Sequence, residues 1–291
     1  MSFIINCTFL FFLWCYLFAE RCVLAYKPVF IIHGVLSENA SMIPMAQRIQ
    51  KFHPGTKVYV TDKFAGWSSL TPMWHQVDEL GEDLMKIAAA HPEGVNLIGY
   101  SQGGLVARAI LERFSEHNVD TFISLSSPQG GQYGANFLHL IFPGLVCHSA
   151  YELFYSDLGQ HTSVGNYWND PHHQALYREY SVFLPYVNNE IKSVNSTKFK
   201  KGITKLRKLV LIGGPDDGVI TPWESSHFGY YDNEENVVDL KNQRSYVNDS
   251  FGLRTLDEKK KLVIIEQSGV THSEWHTNTT VVDKFILPYL N

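Results

Sequence analysis

Apolar and polar residues alternate along most of this chain in two distinct patterns. Short apolar runs that end at turn signals predict six buried strands, near 28–33, 57–61, 94–100, 119–125, 208–212 and 261–265. Apolar residues at helical spacing predict helices near 43–52, 72–90, 103–114 and 280–289. Strands separated by helices are typical of βαβ units, so the pattern predicts an α/β fold with a mostly parallel sheet and helices on both faces.

The alternation stops after Ser127, and the stretch that follows is irregular and rich in aromatic residues. Strand-like runs resume only at Lys208, so we predict one domain over residues 26–291 with a cap inserted at about 135–201. The aromatic side chains of this insertion either bury a ligand or form the core of the cap itself. They are Phe137, Phe142, Tyr151, Phe154, Tyr155, Tyr167, Trp168, Phe183 and Tyr186.

The first 25 residues differ from the rest, because only five of them are not hydrophobic. An apolar run from Phe9 to Ala19, followed by small residues, is typical of a secretory signal peptide, here residues 1–25. An uncleaved anchor is the alternative, although the run barely approaches the roughly 20 apolar residues that cross a bilayer. We expect no stable membrane span once the signal is removed.

Four Asn-x-Ser/Thr triplets give separate support for entry into the secretory pathway. The candidate glycosylation sites are Asn39, Asn195, Asn248 and Asn278. Three of the four cysteines lie in the predicted signal, so the mature chain would keep Cys147 and have no internal disulfide. We expect Cys147 to be a small buried residue rather than a nucleophile.

Charge and histidine spacing narrow the classes of function further. The chain is 45% hydrophobic and 18% charged with a net charge of -5, and its longest basic run is Lys259 to Lys261. This composition gives no electrostatic basis for binding nucleic acid. The histidines, including the pair His172 and His173, do not form a metal-ligand constellation. We therefore expect no metal, no other cofactor and no nucleic-acid partner.

The sharpest motif is Gly-Tyr-Ser-Gln-Gly at 99–103, directly after a predicted strand and directly before a predicted helix. Glycines on both sides permit a sharp strand-to-helix turn that exposes the serine hydroxyl above the sheet. Ser101 is therefore predicted to be the nucleophile of a serine hydrolase. The alternative is an ordinary glycine-rich turn whose serine caps the following helix.

A nucleophilic serine needs a histidine to accept its proton and an acid to orient that histidine. In this type of fold the acid and then the histidine follow later strands. The strand at 208–212 leads to Asp216 and Asp217, and the sequence alone does not choose between these neighbours. The strand at 261–265 leads to His272, which we favour over His276 because it lies closer to the end of the strand.

Two backbone N–H groups are needed to stabilise the oxyanion of an acyl-transfer reaction. Gln102 supplies one by its position after the serine. The second is predicted in the loop that follows the first strand, where Gly34 permits a tight turn and Val35 carries the most suitable amide. His33 is predicted to buttress this loop.

These motifs resemble those of the palmitoyl-protein thioesterases, and in particular the second lysosomal branch of that family. The resemblance spans nearly the whole mature chain and includes the segments 99–104, 123–130, 166–173, 211–223, 251–255 and 269–276. It implies an α/β-hydrolase fold with a catalytic triad of Ser101, Asp217 and His272, and with Val35 and Gln102 as backbone donors. It also implies a soluble lysosomal glycoprotein that cleaves fatty-acyl thioesters.

The resulting expectation is a serine thioesterase that reaches the lysosomal lumen through the secretory pathway. Its partner would be a long-chain fatty-acyl thioester, such as palmitoyl-CoA or another S-acyl compound. Attack by Ser101 would form an acyl-serine, which water would hydrolyse to release the free fatty acid. The first alternative is a secreted lipase or carboxylesterase that acts on oxygen esters, and the second is a non-catalytic lipid-binding protein with the same fold.

Overall fold

The computed structural model describes residues 26–134, 137–139 and 149–290. Six parallel strands form one sheet in the order β2-β1-β3-β4-β5-β8. These strands are β1 Val29–Ile32, β2 Val58–Val60, β3 Val95–Tyr100, β4 Val119–Leu125, β5 Lys208–Gly213 and β8 Leu262–Glu266. Two short strands, β6 Tyr230–Tyr231 and β7 Val237–Val238, pair separately as an antiparallel hairpin.

Helices fill the connections between the strands. Those in the first half of the chain are α1 Asn39–Phe52, α2 Met73–Ala90 and α3 Gln102–Arg113. Between β4 and β5 the described residues include the helices α4 Ala150–Phe154, α5 Asp157–Gln160, α6 Ser163–Tyr167, α7 Gln174–Tyr180, α8 Leu184–Val187 and α9 Ser196–Thr204. The later helices are α10 Arg244–Val247, α11 Leu253–Glu258 and α12 Thr279–Val281, which continues as a π-turn over Val282–Ile286 and a 3-10 turn over Leu287–Tyr289.

The hydrophobic core lies on both faces of the sheet, because successive residues of a strand point to opposite sides. On one face, Leu97 of β3 packs with residues of α2 and α3. On the other face, the neighbouring Ile98 packs with residues of α1 and of the C-terminal helical segment. This two-sided burial explains why the central strands are almost wholly apolar, and it confirms the predicted α/β fold with helices on both faces.

The six strands appear where the apolar runs predicted them, with ends that differ by at most one residue. Helix α1 begins at Asn39, four residues before the predicted start, because its first turn is largely exposed or half-buried and shows no apolar periodicity. The predicted signal peptide, Cys147 and part of the predicted cap lie outside the described residues. Within the described ranges no helix is long and apolar enough to span a bilayer.

The segment between β4 and β5 contains one helix that packs against α3 and several shorter helices before it. Its last helix, α9, lies against α3, and a Cβ atom added to Gly202 would come within 2.0 Å of the carbonyl oxygen of Leu111. Helix α9 therefore belongs to the layer that covers the sheet. The shorter helices α4 to α8 precede it in the same connection, within the limits predicted for the cap.

Candidate active site

Ser101 lies in a sharp turn between β3 and α3. Its backbone has φ 54° and ψ -130°, a left-handed conformation that costs energy for a residue with a side chain. A Cβ atom added to Gly103 would come within 2.4 Å of the carbonyl oxygens of Ile32 and His33, and one added to Gly99 would come within 2.4 Å of the Cα atom of Gly104. These glycines therefore let the turn pack tightly against the end of β1.

The turn brings Ser101 against residues from two distant loops. The Oγ atom of Ser101 lies 2.9 Å from Nε2 of His272. On the other side of the imidazole ring, Nδ1 lies 3.0 and 2.9 Å from the two carboxylate oxygens of Asp217. The structure thus places the three side chains in the order serine, histidine, acid that proton transfer from the serine requires.

Asp217 is 3% exposed and accepts hydrogen bonds at both oxygens. Oδ1 accepts from the backbone N–H groups of Val219 and Ile220 at 3.0 and 2.7 Å. Oδ2 accepts from the hydroxyl of Ser126 and from the indole N–H of Trp275, the latter at 2.7 Å. Neither Ser126 nor Trp275 is predicted as a site residue from the sequence.

These contacts decide the charge of the buried carboxyl. Burial alone raises the pKa of Asp217, but the hydrogen bond and charge of His272, together with the donations from Ser126 and Ile220, outweigh burial. The pKa of Asp217 is therefore held below its usual range, which favours the ionised side chain. An ionised acid beside Nδ1 favours the tautomer that leaves Nε2 free to accept a proton from Ser101.

The neighbouring candidates that the sequence left open lie elsewhere. Asp216 is exposed, and its carboxylate accepts a 2.7 Å hydrogen bond from the backbone N–H of Gly269. His276 is buried against Tyr100, with ring centroids 4.5 Å apart. Burial and the nearby charge of His272 lower the pKa of His276 to about 4. Only Asp217 and His272 meet at Ser101.

The backbone of His272 is fixed from two sides. Its N–H donates to the carbonyl oxygen of Asp217 at 2.8 Å, and its own carbonyl accepts from the hydroxyl of Tyr100 at 2.8 Å. Tyr100 is the residue before Ser101. The histidine is therefore tied both to its acid and to the strand that carries the nucleophile.

The loop after β1 lies beside Ser101, as expected for a source of backbone donors. A Cβ atom added to Gly34 would come within 2.9 Å of the Cβ atom of Ser101. Among the described residues, the N–H groups of Val35 and Gln102 donate no hydrogen bond to backbone oxygen, whereas the next amide, that of Leu36, donates to Ser69 Oγ at 2.7 Å. The two predicted donors are thus unengaged next to the nucleophile.

Two side chains brace this region. The ring nitrogens of His33 lie 3.0 Å from the carbonyl oxygen of Gly34 and 3.1 Å from that of Lys63. The side chain of Gln102 donates to the carbonyl oxygen of Ser69 at 2.8 Å. These contacts join the loop after β1, the 3-10 turn Gly66–Leu70 and the start of α3, and they agree with the buttressing role predicted for His33.

Most aromatic residues of the cap pack among themselves. Phe154, Trp168 and Phe183 have no exposed surface, and Phe154 and Trp168 have ring centroids 4.9 Å apart. Tyr155 and Tyr167 are also buried. The structure therefore favours the interpretation that these rings form the core of the cap. Phe142 lies outside the described residues.

The remaining sequence-based candidates are spread over the surface. Asn195 and Asn248 are exposed, while Asn39 and Asn278 are half-buried. The Oδ1 atom of Asn278 accepts hydrogen bonds from the backbone of Thr280 and Val281 and so caps α12. In the part of the chain that the structure describes, no group of three or more His, Cys, Asp or Glu side chains could hold a metal ion.

Comparison with known proteins adds evidence that is independent of this geometry. Residues 28–272 match the family model described as palmitoyl protein thioesterase. The chain is 56% identical to the lysosomal thioesterase PPT2 homolog of Drosophila melanogaster, covering 92% of this chain and 93% of that protein. It is 47% identical to the lysosomal thioesterase PPT2 of Homo sapiens, covering 92% and 89%. The mature form of the Bacillus licheniformis lipase BlEst2 shares the fold with a TM-score of 0.51, 16% identity and coverage of 92% and 93%.

Proposed function

This chain belongs to the palmitoyl protein thioesterase family, and from that membership we propose that it hydrolyses long-chain fatty-acyl thioesters in the lysosomal lumen with Ser101 as nucleophile. The protein is a thioesterase of the serine-hydrolase type. The observation that carries the proposal is the distance of 2.9 Å between Ser101 Oγ and His272 Nε2, with Asp217 at the opposite nitrogen of the same ring.

In the proposed acylation step, His272 Nε2 takes the proton of Ser101 while Oγ attacks the thioester carbonyl carbon. Negative charge develops on the carbonyl oxygen, and the N–H groups of Val35 and Gln102 stabilise it. The carbon–sulfur bond then breaks, and the imidazolium gives its proton to the departing sulfur. A thiol, with an ordinary pKa of about 8.5, leaves more readily than an alkoxide.

The second step regenerates the enzyme. His272 takes a proton from water while the water oxygen attacks the carbonyl carbon of the acyl-serine. The same two backbone donors stabilise the second oxyanion, and the imidazolium returns its proton to Oγ of Ser101 as the ester bond breaks. The products are a free fatty acid, the free thiol and unmodified enzyme.

The proposed substrate is a palmitoyl-CoA-like or other small S-acyl thioester. Support comes from the family description and from the names of the relatives, which are thioesterases. Burial of an acyl chain contributes about 0.8 kcal/mol for each methylene, so an apolar site would discriminate strongly by chain length. Hydrolysis rates across acyl-CoA lengths would give the preferred chain.

The proposed compartment is the lysosomal lumen, reached by way of a signal peptide at 1–25. The relatives are named lysosomal thioesterases, and the chain carries four acceptor triplets for glycosylation. Two of these, at Asn195 and Asn248, are exposed on the surface. Residues 26–291 would then form the mature hydrolase, with the cap between β4 and β5.

The proposal is tested with matched thioester and oxygen-ester substrates of one acyl length. We expect faster turnover of the thioester, labelling of the wild type by a fluorophosphonate, and loss of both in Ser101→Ala. Faster turnover of the oxygen ester would favour a lipase or carboxylesterase. Folded wild-type protein that is not labelled would contradict the enzymatic role of Ser101.

A further inference from the structure

The serine-rich segment 123–130 spans the end of β4 and the loop after it, and the proposed mechanism makes no use of it. Ser126 has no exposed surface and stands one residue beyond the end of β4. Its φ is 44°, a left-handed conformation that disfavours a residue with a side chain. Its backbone N–H donates to the carbonyl oxygen of Ile212 in the neighbouring strand β5 at 2.7 Å. This strained turn directs the hydroxyl toward the loop that follows β5.

The hydroxyl of Ser126 contacts two members of the triad at once. Its Oγ atom donates to Oδ2 of Asp217 and lies 3.2 Å from Nδ1 of His272. An ionised carboxylate can only accept, so the serine proton goes to Asp217 and a lone pair of Oγ is left facing the histidine N–H. Ser126 thus closes a three-membered hydrogen-bonded cluster on the side of the ring away from Ser101.

We propose that Ser126 is a positioning residue that fixes the carboxylate of Asp217 and takes up part of its negative charge, so that His272 stays able to accept a proton at more acidic pH. This inference rests on the proposed role of the triad. A full negative charge beside an imidazole stabilises the imidazolium, which cannot act as the base. A hydrogen bond donated to the carboxylate weakens that attraction and also restricts the orientation of the carboxylate.

Few other side chains near His272 contact its ring or the carboxylate of Asp217. Asp216 and Glu274 are engaged with the backbone of Gly269 and Thr271. The hydroxyl of Tyr100 donates to the carbonyl oxygen of His272, and its ring centroid lies 5.2 Å from that of the His272 ring and 4.5 Å from that of His276. Among the described residues, Asp217 is therefore the only carboxylate hydrogen-bonded to the His272 ring, and Trp275 is the one other side chain that donates to the same oxygen as Ser126.

The test measures thioester hydrolysis against pH for the wild type, Ser126→Ala and Ser126→Gly. A hydrogen bond to a charged group is worth enough for its loss to lower kcat about tenfold, with KM little changed. We expect the acid limb of the kcat/KM profile to move to higher pH in both variants. Glycine accepts the left-handed backbone freely, so Ser126→Gly keeps the test possible if the alanine variant is unstable.

Ser124→Ala is the matched control. Ser124 is buried in β4, two residues before Ser126, and its hydroxyl accepts from the side chain of Gln129 at 2.9 Å without contacting the triad. We expect its acid limb to coincide with that of the wild type. If both Ser126 variants keep the wild-type acid limb and kcat, or if Ser124→Ala shifts the limb equally, the inference is wrong while the proposed function stands. Absence of thioester hydrolysis in the wild type would instead contradict the function.

Discussion

Asp216 and Asp217 are adjacent in the sequence, but only Asp217 carries a hydrogen bond to His272. The carboxylate of Asp216 turns outward to the backbone N–H of Gly269. The tight turn after β5 therefore separates two chemically identical side chains into one buried in the site and one exposed to solvent. This pair offers a control matched in residue type and in sequence position.

Replacement of Asp217 by asparagine should reduce kcat by about 10⁴-fold, because the amide no longer stabilises the imidazolium and favours the wrong tautomer of His272. Asp216→Asn should change kcat less than about threefold, since its hydrogen bond to Gly269 stabilises the loop alone. Steady-state rates on one acyl-CoA measure both. Equal losses in the two variants would contradict the assignment of Asp217.

Gly34→Ala should impair activity more than stability. The added Cβ would come within 2.9 Å of Ser101 Cβ, so the loop that carries the Val35 amide must move away from the nucleophile. A displacement well below 1 Å in a catalytic group is sufficient to lower kcat about tenfold or more. Thermal unfolding and kcat measured on the same preparation compare the two effects. A large loss of stability with unchanged kcat in the folded fraction would contradict this account.

Glu112 should make the protein less stable at alkaline pH. It is fully buried in α3, neither carboxylate oxygen has a hydrogen-bond partner in the described residues, and Arg108 Nη1 lies 3.8 Å away. Burial, partly offset by Arg108, raises the pKa of Glu112 from 4.5 to about 8. Because the folded state holds this proton more tightly, the resulting stability is complete below 4.5 and is lost as the pH rises through 8.

Between pH 4.5 and about 8, the free energy of unfolding should fall by about 1.4 kcal/mol for each pH unit because of Glu112. Glu112→Gln stays neutral at every pH, so its free energy of unfolding should fall less than that of the wild type between about pH 5 and pH 8. Glu116→Gln is the control, because Glu116 is exposed and paired with Lys201. Urea unfolding at several pH values measures the difference, and parallel curves for the wild type and Glu112→Gln would contradict the prediction.

Glycans should be found at Asn195 and Asn248 when the chain passes through a secretory pathway, because both side chains are exposed. Glycopeptide mass spectrometry of protein secreted from eukaryotic cells measures the occupancy at each acceptor. Asn195→Gln and Asn248→Gln should each remove one glycan. Complete absence of modification at both sites would count against the proposed route to the lysosome.

The sheet could be predicted because parallel strands that are buried on both faces are continuous apolar runs. The nucleophile turn could be predicted because its strain requires glycines at fixed positions around Ser101. The choice of Asp217 over Asp216 depends on the direction of a turn, which neither composition nor spacing encodes. The resemblance to the family implies Asp217, and it is the Asp217 carboxylate that contacts His272.

The contact of Ser126 with Asp217 and the helices of the cap could not be predicted from the pattern of apolar and polar residues. Ser126 reaches Asp217 because β4 and β5 are neighbours in the sheet, with Leu125 opposite Ile212. Only the strand order reveals that contact, although a polar residue at the carboxyl end of a buried strand was a usable signal. Helices α4 to α8 have four to seven residues each, too few to show a helical period.

The central claim is that Ser101 carries the acyl group during hydrolysis of a fatty-acyl thioester. The most direct measurement mixes the wild-type enzyme with excess palmitoyl-CoA, quenches the reaction in acid within milliseconds, and determines the site of acylation by peptide mass spectrometry. We predict a palmitoyl group on the peptide that contains Ser101, and none in Ser101→Ala. Acylation of another residue, or rapid hydrolysis by Ser101→Ala, would contradict the account.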